Sequence, residues 1–316
     1  MTWRVRPATD DDAEFAAIAA LVSAVTPESP TSVEEMRWQD ATYPGARFVA
    51  ERDDRIVGAA STGRIYVYPP EFERYWCGLH VLPEHRRMGI GAALLGEVST
   101  VARAAGKVGL QTSVSEVQAD GLAFLGHRDF VEIERSKSVR LDLAGLDRPA
   151  VVPPAGIAIT TLAARPDLVA GVHEVAQLAF GDIPAADEPM TAGTFEEFRT
   201  RDVDRPGIPA EAFFVGLDEA TGEVAGYASL MYLPGRRDVA WHDMTAVRPA
   251  QRGRGIAVVL KLATIRWAID AGLTALETGN DVENAPMRAV NAKLGYRPLP
   301  DEIELRGPLA DAAVDR

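Results

Sequence analysis

Cysteine is almost absent from this chain of 316 residues, in which Cys77 is the single one. One cysteine excludes an internal disulfide and a cysteine-rich metal site, and such usage is typical of a reducing compartment. The five histidines show neither an HExxH motif nor paired-ligand spacing, so the sequence predicts no metal centre. A cytoplasmic protein is therefore expected.

Long apolar runs are also missing. No stretch of about 18 apolar residues occurs, and the chain passes from Met1 into an acidic run at 10–12 without the apolar core of a signal peptide. The 33 basic residues are outnumbered by 46 acidic ones, which leaves a formal charge of -13. Because such a surface repels phosphate groups, neither a membrane nor a nucleic acid is a predicted partner.

The chain does have the composition of a compact protein and the length of two domains. Hydrophobic residues make up 47% and charged residues 25%, which are ordinary values for globular proteins and exclude a disordered chain. Domains of about 150 residues are common, so the length predicts two of them.

An internal repeat supports this division. At a constant offset of 166 residues, 81–91 aligns with 247–257 and the similarity continues without a gap. The matched pairs include Leu94/Leu260, Gly106/Gly272, Leu110/Leu276, Thr112/Thr278 and Phe130/Tyr296. Such self-similarity indicates a domain-sized duplication. The segment 146–156 is rich in proline, which disfavours helix and central strand, so it is predicted to link domains at 1–145 and 157–316.

Each copy shows one order of elements, which is a strand, two helices, three strands, a helix, a strand, a helix and the last strands. Thr194 with Glu197, and Thr31 with Glu34, have the spacing of capping boxes at the start of the second helix of each copy. Gly272 is placed as the C-terminal cap of the long helix 256–271. This order predicts an α/β fold in each half.

The most informative motif lies between the long helix of each copy and the strand that directly precedes this helix. It is RxxGxG in the first copy and RxxGxA in the second, and its candidate anion-binding residues are Val81, Arg86, Arg87, Met88, Gly89, Ile90 and Gly91 with Val247, Arg252, Gly253, Arg254, Gly255, Ile256 and Ala257. A helix N-terminus offers unpaired N–H groups to an anion, and Gly or Ala lets a pyrophosphate approach. A P-loop and a dinucleotide fingerprint both fit worse. A helix cap without a ligand is the alternative for one such motif, and two copies disfavour it.

These motifs resemble motif A of the GNAT acetyltransferase superfamily, [QR]xxGx[GA], and residues 284–296 resemble the helix and LG[FY] exit that follow it there. The resemblance covers nearly the whole chain, once per half, and the two copies together are similar to two-domain acetyltransferases of the mycothiol synthase type. It implies two tandem domains, each a mixed, mainly antiparallel twisted sheet flanked by helices. It also implies acetyl-CoA as co-substrate, with the pyrophosphate on the motif and the pantetheine arm paired near Thr245 and Val247.

The polar residues of the two copies differ, which favours the second as the catalytic one. Those that only the second copy has are Asn280, Asn284, Asn291, His242, Asp243 and Thr245. At the same offset the first copy has Val114, Gln118, Leu125, Trp76, Cys77 and Leu79. Asn284 and Asn291 are two helical turns apart, so they share a face that is suited to line the CoA arm.

Acetyl transfer to an amine requires a base, because an alkyl ammonium with a pKa of about 10 is mostly charged at neutral pH. By the resemblance, the base stands five residues before Val247, at His242, whose imidazole suits the task. Asp243 points to the opposite face of a regular strand, so only one of the two faces the acetyl group. The superfamily's thiol-protonating Tyr corresponds to Asn291, which would hydrogen-bond the sulfur or the pantetheine instead.

Two other interpretations stay open at this point. The first copy has the more complete glycine motif, and Glu73 lies just before its strand, which would place catalysis in the first half. A non-catalytic acyl-CoA-binding or scaffold protein is the other, since both copies lack the expected Tyr. The predicted acceptor is a primary amine of a small molecule. The tandem arrangement predicts a monomer that acts as a pseudo-dimer, or a homodimer.

Overall fold

The computed structural model describes residues 3–43, 45–183 and 189–311, and the chain forms two compact units. In chain order the strands and helices are β1 (Trp3–Pro7), α1 (Asp12–Val25), α2 (Val33–Thr42), β2 (Gly45–Arg52), β3 (Arg55–Arg64), β4 (Arg74–Val81), α3 (Ile90–Ala104), β5 (Gly109–Ser115), α4 (Ala119–Gly126), β6 (Val131–Asp142), β7 (Ile157–Thr161), α5 (Val169–Phe180), α6 (Phe195–Phe198), β8 (Phe214–Asp218), β9 (Val224–Tyr232), β10 (Val239–Val247), α7 (Ile256–Asp270), β11 (Ala275–Asp281), α8 (Ala285–Lys293), β12 (Arg297–Pro298) and β13 (Glu302–Pro308). The predicted α/β element order is confirmed in both halves.

The first unit contains residues 1–135 and 301–316, with strand order β1-β2-β3-β4-β5-β13. All neighbours are antiparallel except β4 and β5, which run parallel. Leu94 and Val98 of α3 pack on one face of this sheet. Phe15 of α1 and Met36 of α2 pack on the other. The sheet therefore carries helices on both faces, as the period-two alternation of its apolar residues requires.

The second unit contains residues 136–300, with strand order β6-β11-β10-β9-β8-β7 and β12 beside β6. Its parallel pair is β10 with β11. Ile265 and Ala268 of α7 pack against Ala240 and Leu276 of the sheet, and α5 contacts β9 and β10 from the opposite face. Each unit is thus a mixed, mainly antiparallel sheet flanked by helices, as expected.

The bounds of the two units differ from the predicted ones at the last strand of each repeat. Residues 136–142 of β6 pair with β11 of the second unit, and β13, at the end of the second repeat, pairs with β5 of the first. Ile303 and Leu305 of β13 lie in the core of the first unit. Gly307 allows this fit, because a Cβ there would meet the Phe130 ring at 2.3 Å. The repeat boundary in the sequence is therefore not the boundary of the packed units.

One of the two predicted helix caps is confirmed, and the other lies one residue further along the chain. Thr194 and Glu197 form the predicted capping box at the start of α6. At α2 the cap is Ser32, whose hydroxyl accepts from the N–H of Glu35 at 3.1 Å, so the prediction of Thr31 with Glu34 was wrong by one residue. Both Thr31 and Ser32 are favourable cap types, and the backbone conformation selects between them.

Because β13 completes the core of the first unit, Leu305→Ala is expected to destabilise that unit alone. Truncating a buried leucine typically costs about 2–5 kcal/mol. Amide hydrogen exchange should speed up in β2 to β5 and stay unchanged in β8 to β11. Leu178→Ala, at an exposed leucine of α5, is the matched control and should change neither. Faster exchange confined to the second unit would contradict this assignment of β13.

Candidate active site

The loop that joins β10 to α7 presents bare backbone. Gly255 caps α7 in a left-handed conformation with φ 82, and Gly253 has φ 77. A Cβ added at either glycine would have no atom within 4 Å. The first N–H groups of a helix have no intrahelical partner, and Gly255 has no side chain to accept from them. This end of α7 is therefore open to an anion.

The arginines of the loop hold its shape. Arg252 donates from Nε to the carbonyl of Val247 at 3.2 Å and pairs with Asp182 at 2.5 Å. Arg86 makes the same bond in the first unit, from Nε to the carbonyl of Val81 at 3.2 Å. The equal spacing between this Arg and the strand end in the two copies thus reflects a hydrogen bond that ties the loop to the strand in each unit.

The corresponding loop of the first unit has aromatic rings beside its two glycines. The Trp3 indole donates to the carbonyl of Met88 at 3.0 Å, and its ring lies 3.4 Å from where a Cβ of Gly89 would stand. The Phe124 ring lies 3.2 Å from the corresponding point of Gly91. Asp120 pairs with Arg86 at 3.1 Å. A ring therefore stands beside Gly89 at the position where a Cβ of Gly255 would have no atom within 4 Å, while in both loops a carboxylate pairs with the motif Arg.

Strands β10 and β11 separate after a short parallel contact. Their register covers Val239 to Trp241, and the last pair is Trp241 with Glu277. Immediately beyond it, the Thr278 hydroxyl donates to the carbonyl of His242 at 2.9 Å. The edge of β10 that faces β11 thus lacks a neighbouring strand from His242 onward.

A β-bulge interrupts β10 at the same place. The antiparallel register with β9 shifts between His242 and Thr245, so Asp243 and Met244 together oppose Ser229. The pairing of β3 with β4 has no such shift. The bulge adds one residue, so at the start of this strand the constant offset of the repeat fails. His242 corresponds to Cys77, and Trp241 to Trp76, which corrects the sequence alignment by one position.

His242 points to α7 and is completely buried. Its Nδ1 lies 3.1 Å from the Tyr296 hydroxyl, and its Nε2 lies 3.3 Å from the Thr264 hydroxyl. Burial lowers the pKa of His242 well below its usual range, and the charge of Lys261 adds to this effect. The neutral imidazole is thus the stable form at this position.

Lys261 and Thr264 belong to a buried polar group that sequence reasoning missed. Lys261 is 2% exposed, and its Nζ lies 5.5 Å from the centre of the Tyr296 ring. In the first unit the positions of Lys261, Thr264, His242 and Tyr296 are occupied by Leu95, Val98, Cys77 and Phe130, all in its core. The signal that would have found this group was a lysine on the apolar face of a repeated helix.

Asp243 points to the other face of the sheet, beside Ser229, whose hydroxyl is 3.5 Å from its carboxylate. Burial raises the pKa of Asp243, while nearby Arg205 and Arg201 oppose the rise. Burial raises the pKa of Asp202 to about 6, and the charge of Asp243 adds to this rise. Of these residues, sequence analysis had selected only Asp243.

The remaining candidates have local roles. Asn291 of α8 donates from its side-chain amide to the side-chain oxygen of Asn280 in β11 at 2.6 Å, so these two candidates are hydrogen-bonded to each other. The Asn284 side chain caps α8 by accepting from Met287, which points it at the helix end. The hydroxyl of Thr245 is buried and makes no hydrogen bond within the described residues, and the side-chain oxygen of Asn291 makes none there either.

Neither a metal centre nor a membrane span was found in the part of the chain that the structure describes. There, no three His, Cys, Asp or Glu side chains lie together as ion ligands. None of the helices described has both the length and the apolar character needed to cross a bilayer.

The fold of the two units, together with the family match, identifies the chain as an acyltransferase. The chain belongs to the Acetyltransferase (GNAT) family, whose model matches residues 15–126 and again 177–296. The GNAT fold uses acetyl-CoA as a co-substrate. The double match confirms the predicted tandem organisation.

Similar proteins have the same two-domain length. A mycothiol acetyltransferase of Rhodococcus opacus (strain B4) is 26% identical over 308 residues, which cover 94% of this chain and 96% of that protein. One from Tsukamurella paurometabola is 27% identical over 225 residues, 68% of this chain and 72% of the relative. A solved tandem GNAT protein from the clavulanic acid biosynthesis pathway superposes with a TM-score of 0.77 at 22% identity, covering 100% of both chains. That structure supports the fold alone.

Removing the buried charge of Lys261 should stabilise the second unit in a pH-dependent way. Burial lowers the pKa of Lys261 to about 7, against about 10.4 in an unfolded chain. Between these values the unfolded state binds more protons, so the stability of the wild type rises with pH and is reduced below pH 7. Lys261→Met is expected to be more stable than the wild type at pH 6, by a few kcal/mol at most, and to lose this advantage near pH 10.

Hydrogen exchange of the β10 and α7 amides at both pH values measures this difference. The control is Lys293→Met, at an exposed lysine of α8, which should have no effect at either pH. An equal change for Lys261→Met at pH 6 and pH 10 would show that packing, and not charge, is responsible.

Proposed function

We propose that the second unit binds acetyl-CoA and transfers its acetyl group to a primary amine of a small molecule. The observation that carries this proposal is the contrast between the two loops. Gly255 faces open space, whereas the equivalent Gly89 lies beside the Trp3 ring, and Gly91, which is equivalent to Ala257, lies against the Phe124 ring. Acetyl-CoA supplies the thioester, and the chain supplies binding groups and a base.

The residues of the second loop fit a pyrophosphate. The N–H groups at the start of α7 and the guanidinium groups of Arg252 and Arg254 offer hydrogen bonds and positive charge. The unpaired edge of β10, from His242 to Val247, offers backbone groups to a pantetheine arm, and Thr245 adds a buried hydroxyl that lacks a hydrogen bond among the described residues. The first unit retains the fold, and we assign it no donor site.

Acetyl-CoA binding should depend on the second loop. Ala257→Glu places a carboxylate against the pyrophosphate, and like charge in such a site is expected to weaken binding by on the order of 100-fold or more. Gly91→Glu makes the equivalent change in the first unit and should leave binding intact. Calorimetric titration of acetyl-CoA reads affinity and stoichiometry for both. Loss of binding in Gly91→Glu alone would move the donor site to the first unit.

Asp243, rather than His242, is the base that we propose. His242 is enclosed by Thr264, Tyr296 and Lys261, and its lowered pKa makes it a poor proton acceptor. Asp243 lies at the bulge on the other face, retains some exposure, and has a raised pKa. A base is most effective when its pKa approaches the working pH, and burial moves this carboxylate in that direction.

The two candidates can be separated by substitution. Asp243→Asn should reduce kcat by about 10²–10⁴-fold, the usual contribution of a general base, with acetyl-CoA affinity unchanged. His242→Cys introduces the residue that the first unit has at this register and should retain kcat within a few-fold. Initial rates with the best amine, together with thermal melts, measure both. A folded His242→Cys protein that binds acetyl-CoA but has lost turnover would contradict the assignment.

The proposed acceptor class follows from the names of the relatives. Curated relatives are named mycothiol acetyltransferase, which supports a small-molecule amine over a protein N-terminus. A screen of small amines with acetyl-CoA, read by thiol release, tests this. Binding of acetyl-CoA without thiol release in the presence of any amine would favour the alternative of a non-catalytic acyl-CoA-binding protein. We propose a cytoplasmic location, and either a monomer or a homodimer.

A further inference from the structure

Asparagine is confined to one stretch of the chain. The three asparagines of the sequence are Asn280, Asn284 and Asn291, which lie in β11, at the start of α8 and within α8. The Asn284 side chain caps α8. The other two are bonded to each other, since the side-chain nitrogen of Asn291 donates to the side-chain oxygen of Asn280 at 2.6 Å. Two of the three asparagines therefore form one hydrogen-bonded pair between the strand and the helix.

The bond to Asn280 fixes the direction of the Asn291 carboxamide. Asn291 is 2% exposed, and its side-chain oxygen has no hydrogen bond within the described residues. Because the nitrogen is engaged by Asn280, Asn291 presents a carbonyl oxygen, which accepts a hydrogen bond and has no proton to donate. A buried acceptor without a partner costs free energy. A group from outside the chain that offers an N–H or O–H would remove this cost.

A gap opens between β10 and β11 beside this pair. The last parallel pair of the two strands is Trp241 with Glu277, and the space beyond it is here called the gap. Asn280 follows on the β11 side of the gap and Thr245 on the β10 side. The Thr245 hydroxyl is buried and, like the Asn291 oxygen, has no hydrogen bond among the residues described. Each side of the gap therefore carries one buried polar atom without a partner.

These polar side chains point to the face of the sheet that α7 covers. Thr245 opposes Ala228 on β9, and Ala228 packs with Leu260 of α7. Cross-strand neighbours share a face, so the Thr245 side chain points to α7. Leu276 of β11 packs in the same core cluster as residues of α7, and Asn280 lies four residues further on, which returns it to that face. Thr245 and the asparagine pair thus stand on opposite sides of the gap and on one face.

The first unit shows the same gap without the polar groups. Its parallel contact between β4 and β5 also ends after three residue pairs. The residues at the three corresponding positions are Leu79, Val114 and Leu125, and all three belong to one apolar core cluster. The three positions therefore lie together in this fold, and apolar side chains fill them. Since a polar group is costly to bury without a partner, their replacement by three polar residues in the second unit indicates a ligand there.

A trans secondary amide matches the two unpartnered atoms. Its N–H and its C=O point in opposite directions from a planar group. In the gap the N–H would donate to the Asn291 oxygen, and the C=O would accept from the Thr245 hydroxyl. A hydrocarbon chain offers neither group, and an ester lacks the donor that Asn291 requires. An amide that lies in the gap satisfies both sides at once.

We propose that Asn291 and Thr245 recognise the secondary amide that stands next to the thioester in the acetyl donor, and that Asn280 is a positioning residue which acts only through Asn291. The donor class is thus a thioester whose thiol carries a secondary amide close to the sulfur. Hydrogen bonds from both sides of the gap hold the adjacent acetyl carbon in place for attack. This inference rests on the proposed function and specifies how its donor is chosen.

Calorimetric titration of acetyl-CoA tests the pair. Asn291→Leu and Asn280→Val introduce the residues of the first unit. Asn291→Leu should weaken binding by about 10-fold, the size of one hydrogen bond, and Asn280→Val by several-fold. The double variant should bind no more weakly than Asn291→Leu, because effects that pass through one contact do not add. Ala289→Leu, on the exposed face of α8, is the control. Unchanged affinity in Asn291→Leu, or additive losses in the double variant, would overturn the proposal.

Donor selectivity separates recognition of the amide from a structural role. S-acetyl-N-acetylcysteamine contains the amide, and its ester analogue has an oxygen in place of the N–H. The wild type should favour the amide by about 10-fold in kcat/KM, and Asn291→Leu should use both donors equally. Thr245→Val should slow both donors alike, because both retain the carbonyl, and Thr160→Val on β7 should slow neither. Equal use of the two donors by the wild type would contradict the assignment of Asn291.

Failure of this inference is distinguishable from failure of the proposed function. If the variants lose acetyl-CoA affinity in the expected pattern while no amine is acetylated, the donor site stands and the proposed function fails. Displacement of acetyl-CoA by the amide and ester compounds then replaces kcat/KM in the comparison. If amines are acetylated and every variant binds acetyl-CoA like the wild type, the proposed function stands and the inference fails. Absence of acetyl-CoA binding to the wild type would overturn both.

Discussion

One additional residue in β10 separates the chemistry of the two units. At the bulge, Asp243 and Met244 together oppose Ser229, where β4 of the first unit is regular. Bulges bend a strand and re-aim its side chains, and here the bend coincides with the end of the parallel contact between β10 and β11. The bulge places Asp243 on the face opposite to His242, whereas the open edge of β10 is shared with β4, whose parallel contact with β5 also ends after three residue pairs. The other features of the site are arranged around this point.

The two phosphate-type loops show that a motif describes only the backbone of a site. Both loops place a left-handed glycine before a long helix, with φ 87 at Gly89 and φ 82 at Gly255. The second residue of the motif differs, since Arg87 adopts φ 61 where the second unit has Gly253 at φ 77. Rings from β1 and α4, elements far from the first loop in sequence, lie beside its Gly89 and Gly91. Access to the helix end is thus a property of the packed unit.

The cores of the two units reflect different uses of one fold. Where the first unit packs Cys77 and Phe130 as apolar residues, the second has His242 hydrogen-bonded to Tyr296. Polar groups buried in this way are costly unless they are paired. His242 and Asp243 point to opposite faces of the same strand, so the base favoured by the sequence analysis and the base that we propose lie on different sides of the sheet.

The sequence by itself determined the duplication, the order of elements, the helix-capping glycines and the family, because these depend on local patterns that repeat along the chain. Only the tertiary structure placed β13 in the first unit, set the bulge in β10 and placed Phe124 against Gly91. Each of these is a contact between segments distant in sequence, in which burial and side-chain direction select the partner. A constant offset describes a repeat only while its strands keep the same length. One inserted residue in β10 gave His242, and not Asp243, the position that Cys77 has in the first unit.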